Sequence, residues 1–159
     1  VIALTRNIEK KYNEKKLKVF FGGTFSGNSL STYVGKETTE YIYRNRKKIF
    51  KNLKNKSNYF LYNMKNIINK DKLNVSIYSF NSMFRLIFTK KKVRNRIQRD
   101  FFESKNSKKI SLFRKYLLKN NIYYPSNGII FISDQTTVSD LDKVLKIFKI
   151  GLNKFFKRG

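Results

Sequence analysis

The sequence predicts an α/β fold in which helices cover one face of a small, mainly antiparallel sheet. Three observations predict it. A short apolar run at 19–21 leads into a glycine-rich turn and then a helical pattern. Two apolar runs, 73–80 and 83–89, are separated only by Asn81 and Ser82, the spacing of neighbouring strands. A continuous apolar run at 129–132 precedes a long amphipathic pattern near the end of the chain. At 159 residues, 40% of them hydrophobic and 16% aromatic, the chain can bury one sound core, or a small domain plus an appendage.

The elements follow in order. Residues 1–5 read as a buried strand end, 6–16 as a charged helix or loop, and 17–21 as a strand. Asn28 is a good helix cap, and Leu30, Val34, Tyr41 and Ile42 share one helical face, so a helix is expected from there to about residue 51. A second amphipathic helix is expected over 59–69, carrying Tyr59, Phe60, Tyr62, Met64, Ile67 and Ile68, with its interior face toward a core. The two strands come next, and then the most basic stretch, KKKVRNRIQR at 90–99, read as a solvated loop tacked down by Val93 and Ile97. Ile110, Leu112, Phe113, Leu117 and Leu118 mark another helix, stopping near Asn120 and Asn121. The run Ile-Ile-Phe-Ile implies a strand buried on both faces. The last helix starts at Thr137 or Ser139, since both Thr137 with Asp140 and Ser139 with Asp142 make a capping-box pattern. Its apolar face is Leu141, Val144, Leu145, Phe148, Leu152, Phe155 and Phe156.

The segment KVFFGGTFSGNSLS at 18–31 carries the chemistry. Glycines let backbone N–H groups approach an oxyanion, a hydroxyl adds a donor, and a helix start presents its positive end. Residues 22–29 are spaced like a nucleotide-binding G-x-x-x-x-G-K-[ST] loop, but Asn28 stands where the lysine belongs. A neutral amide cannot neutralise β- and γ-phosphates, whereas a single cofactor phosphate asks only for N–H groups and one hydroxyl. A degenerate phosphate loop and a turn that binds nothing stay open beside that reading. Asp134, after the 129–132 run, is read either as a turn residue or as the magnesium-binding aspartate of such a loop protein.

GGTFSGN followed by a helix resembles the segment of class III, fold-type I aminotransferases that reaches the pyridoxal phosphate of the partner subunit. VIALT resembles the strand that shortly follows the cofactor-binding lysine. SMFRLIFT, LFRKYLLKNNIYYPS and FISDQTTVSDLDKVL resemble, in that order, the small C-terminal domain of glutamate-1-semialdehyde 2,1-aminomutases and their relatives. The resemblance implies a C-terminal segment of a fold-type I enzyme: residues 1–52 ending the large cofactor domain with its connecting helix, and 53–159 forming the small domain. It implies pyridoxal 5'-phosphate as cofactor, a homodimer, and Gly23 and Thr24 as the cofactor-binding residues. No lysine here matches the motif of the cofactor-binding lysine, so no residue is assigned as catalytic and the chain by itself is expected to be an inactive fragment. The family usually has proline where Ser29 stands, a carboxylate soon after the Pro-Ser pair, and a histidine near Gln135 and Thr136. Serine in place of that proline should weaken the turn slightly, and the absence of the carboxylate and the histidine leaves transamination and intramolecular amino shift both open.

Composition narrows the remaining classes. Cysteine and histidine are both absent, which excludes a disulfide framework and makes zinc the wrong metal, so no metal site is expected. No apolar run is long enough to span a bilayer and no signal-peptide pattern is present, so no membrane is expected and the cytoplasm is the default. The net charge of +26 suggests a basic nucleic-acid-binding module as an alternative, with nonspecific adhesion to nucleic acid at low salt. Lysine accompanied by abundant Asn, Ile, Tyr and Phe is also what AT-rich coding produces without selection for binding.

Overall fold

A computed structural model describes residues 5–13, 23 and 27–157. The expected strand at 17–21, and 1–4 of the expected strand end, lie outside the described residues. Two compact units divide the chain, Val1–Arg46 and Lys47–Gly159.

In the first unit, helix α1 spans Arg6–Asn13. Helix α2 then runs Ser29–Lys70, its first eighteen residues belonging to this unit and the rest to the second. Asn28 caps it: its Oδ1 accepts the backbone N–H of Ser31 at 3.0 Å. Glu40 pairs with Lys36 and Arg44 one turn to either side. Leu30, Val34, Tyr41 and Ile42, the predicted apolar stripe, are exposed.

The two helices expected at 28–51 and 59–69 are one helix of 42 residues. The stretch between them holds no glycine or proline to break it. Ile49, Ser57, Phe60, Met64 and Ile68 form a buried seam at helical spacing straight through it.

In the second unit, Lys72 takes a left-handed conformation (φ 51°) and turns the chain out of α2. Strands β1 (Ser76–Phe80) and β2 (Met83–Ile87) form the expected hairpin, with Asn81 left-handed (φ 51°) in the two-residue connection. Strand β3 (Ile129–Phe131) pairs antiparallel with β2, in the order β1-β2-β3, with Phe84 opposite Ile130. It is an edge strand, not one buried on both faces: Ile129 and Ile130 are half-buried and Phe131 is 65% exposed, while Ile132 alone of the run is buried. Ile132 meets the core, while Phe131 is exposed among the described residues.

The core lies between the inward residues Phe84, Leu86 and Phe88 and three helices: α2, α4 (Ser107–Lys119) and α5 (Val138–Phe156). Phe113 of α4 is its centre, in edge-on contact with Phe88, Tyr124, Phe148 and Phe156 at centroid distances of 5.7–6.3 Å. Helix α5 contributes Leu141, Leu145, Phe148, Leu152 and Phe156 on the predicted face. Its start is Thr137: the hydroxyl accepts the N–H of Asp140, and the Asp140 carboxylate accepts the N–H of Thr137.

The stretch 90–99 is not all loop. Helix α3 (Arg96–Lys105) begins inside it, capped by Asn95, whose Oδ1 accepts the N–H of Gln98. The side chain of Gln98 reaches back to the N–H of Arg94.

Candidate functional site

The turn before α2 is where the sequence concentrates anion-binding chemistry. Gly23 is exposed and outside regular structure. Thr24 and Ser26 lie outside the described residues. At the end of the turn Gly27 has φ +73°, a conformation that disfavours any side chain, and open space where a Cβ would be. Asn28 then caps the helix through Ser31, while the N–H groups of Ser29 and Leu30 have no carbonyl inside the helix to bond. These residues fit one anionic group at the positive end of a long helix. They carry no cation at the position of Asn28, so a nucleoside triphosphate does not fit them equally well.

The other candidates resolve structurally. Asp134 sits in the turn before α5, and its backbone carbonyl accepts the Lys56 ammonium at 2.5 Å. Its Oδ1 is buried with no described partner. No group of three acidic, histidine or cysteine side chains among the described residues could hold a metal ion. Asp140 is held below the ordinary carboxylate range, first by the Thr137 hydroxyl and then by the Thr137 N–H, which marks it as a cap. Tyr124 beside Gly128 is buried, and burial pushes its phenol well above the ordinary tyrosine value. No described helix is long and apolar enough to cross a membrane.

Sequence reasoning missed one polar cluster. Arg85, mid-strand in β2, donates from Nη2 to both carboxylate oxygens of Glu103 on α3, at 2.9 and 3.1 Å, with both side chains about three-quarters covered or more. Finding it required α3, and the signal was present in Asn95 followed three residues later by Gln98.

No family model matches the chain. It is 29% identical over 140 residues to a glutamate-1-semialdehyde 2,1-aminomutase of Fusobacterium nucleatum, covering 86% of the chain and 31% of that protein. To the aminomutase of Methanobrevibacter smithii it is 27% identical over 142 residues, covering 88% of the chain and 32% of that protein. Over most of its length the chain is similar to glutamate-1-semialdehyde 2,1-aminomutases. It spans about a third of the length of these relatives. In fold the chain is similar to a solved structure: the crystal structure of an omega-transaminase from Sphaerobacter thermophilus superimposes with a TM-score of 0.67, covering 84% of the chain and 30% of that structure at 13% identity.

Proposed function

We propose that the chain is the C-terminal part of a pyridoxal-phosphate-dependent aminotransferase or glutamate-1-semialdehyde 2,1-aminomutase-like enzyme that works as a cytoplasmic homodimer on a small amino or keto substrate. The observation that carries this reading is the alignment of 86–88% of the chain with enzymes of that name. Its division of labour would be large-domain end plus connecting helix over 1–52 and small domain over 53–159.

In this reading Gly23 and Thr24 hold the phosphate of the cofactor carried by the partner subunit. Thr24 donates its hydroxyl, Gly23 donates backbone N–H without a side chain in the way, and the start of α2 adds its positive end. Asn28 fixes that start, and Gly27 permits the turn into it. The cofactor, when bound, supplies the electron sink for amino-group chemistry. This chain contributes position and charge. None of its lysines stands in the motif of the cofactor-binding lysine, so the chain on its own is without aminotransferase activity.

The test joins this chain to the upstream portion of a related aminomutase and measures the dissociation constant of pyridoxal phosphate. A hydrogen bond to a charged group contributes about 1.5–3 kcal/mol, so Thr24→Ala weakens retention roughly ten- to a hundredfold. Ser26→Ala does less. If neither change alters the constant, the turn is structural, and if only Ser26→Ala does, the phosphate has been assigned to the wrong hydroxyl.

A further inference from the structure

The basic stretch at 90–99 is not used by the aminotransferase reading, and its folded form differs from a solvated loop. Six of these ten residues are Lys or Arg and none is acidic. The chain doubles back from residues 90–95 into α3, leaving a groove of about 430 Å³ lined by Lys91, Lys92, Ile97, Gln98, Phe101 and Phe102. Ile97 is 81% and Phe101 51% exposed, large apolar surfaces set directly among cations. Lys105 places its ammonium 4.1 Å from the centre of the Phe101 ring. Arg96 and Arg99 are drawn to Asp100, and Arg99 also to Glu103, but neither Lys91 nor Lys92 pairs with a carboxylate of the described residues.

We propose that this groove binds single-stranded nucleic acid, one base lying against Phe101 and Ile97 while Lys91 and Lys92 meet the flanking phosphates. The occupant follows from complementarity: a ligand must be anionic along its length yet offer a flat apolar face, and a single strand offers both at every residue. Gln98 supplies polar contact. Its Oε1 already accepts the N–H of Arg94, which leaves the two amide N–H donors for acceptors on a base edge. A duplex hides its base faces and leaves only phosphates and base edges exposed, so it fits the lysines but not the aromatic wall. An anionic lipid surface is matched by a ridge of projecting apolar groups, whereas here they line a cleft.

The experiment uses the whole chain, with fluorescence anisotropy of a labelled oligothymidylate, the same length of duplex DNA, and vesicles containing phosphatidylserine. Single strands bind more tightly than duplex. Phe101→Ala weakens the single strand about tenfold and leaves duplex binding unchanged, in line with the loss of one stacked base. Replacing Lys91 and Lys92 together by Gln lowers the slope of log affinity against log salt by about 1.4, two phosphates at about 0.7 each. The control is Lys47→Gln with Lys48→Gln, which removes the same charge from an exposed part of α2. Circular dichroism confirms that each variant is folded, and Phe101→Leu replaces Phe101→Ala if that variant is not. Equal affinity for strand and duplex, no effect at Phe101, an equal loss in the control, or groove-dependent binding of vesicles but not of oligothymidylate would each overturn the proposal.

Discussion

Gly151 is a sharp point at which to test how tightly the second unit is packed. A Cβ added there would stand 2.8 Å from Phe113 Cε2 and 2.8 Å from both Cδ1 and Cε1 of Tyr116. Phe113 has no room to yield, being fully buried among Phe88, Tyr124, Phe148 and Phe156. Tyr116 is braced by Phe155. On helix propensity alone Gly→Ala within α5 would stabilise by about 1 kcal/mol. Overpacking a filled core costs about 1–3 kcal/mol, so Gly151→Ala should be neutral to about 2 kcal/mol destabilising. Gly35, mid-helix in α2 with nothing within 4 Å of its Cβ position, isolates the propensity term: Gly35→Ala should stabilise by about 1 kcal/mol. Urea unfolding followed by aromatic circular dichroism reads the first change, and amide exchange across the start of α2 reads the second. A stabilised Gly151→Ala would refute the close approach of α5 to α4.

Thr137→Ala should cost about 1 kcal/mol through loss of the α5 cap, measured by urea unfolding at neutral pH. Because the folded carboxyl of Asp140 titrates below its ordinary value, its contribution is present above about pH 4 and is lost as pH falls through that lower folded value, so the parent loses stability over this acid range and Thr137→Ala loses less. Glu103→Gln, which leaves the partly buried Arg85 guanidinium without a counter-charge, should destabilise by about 1–3 kcal/mol, whereas Glu40→Gln, on the exposed flank of α2, should change stability by under about 0.5 kcal/mol. Equal effects of the two in thermal unfolding would refute the distinction.

What the sequence made legible was local or strictly periodic. Helix α5 could be read because Thr137 and Asp140 cap it reciprocally and its apolar residues keep a single face for its whole length. The hairpin could be read because two residues, Asn81 and Ser82, leave the chain no other route. The errors arose where tertiary packing overrides local cues. The expected helices stopped near residue 51 and restarted at 59, yet Ser57 turns inward on a seam with Phe60, and the helix continues. The charges of 90–99 hid α3, because the helix starts inside a stretch whose charged residues are all Lys or Arg, and such a stretch resembles a loop in composition. The exposure of Phe131 depended on which face of β3 had a neighbour, which periodicity alone cannot tell. In the turn before α2, whose glycines and hydroxyls carry the proposed anion-binding chemistry, it is Gly27 and Asn28 that the structure describes with turn and cap geometry.

The end of α5 is fastened to the entrance of the sheet: Leu73 bridges Lys157, and the N–H of Asn74 donates to the Phe156 carbonyl at 2.9 Å. During synthesis this order matters. The hairpin, α3 and α4 emerge first, but the groove they must close receives Leu141, Leu145, Phe148, Leu152 and Phe156 only when α5 has left the ribosome. Until then Phe84, Phe88 and Phe113 have no partner from α5, and the nascent unit carries an open aromatic surface. The contacts that join α5 to α4, α2 and the sheet are distant in sequence, the kind that form slowly. A stop codon that removed α5 would yield an aggregation-prone chain instead of a smaller folded domain.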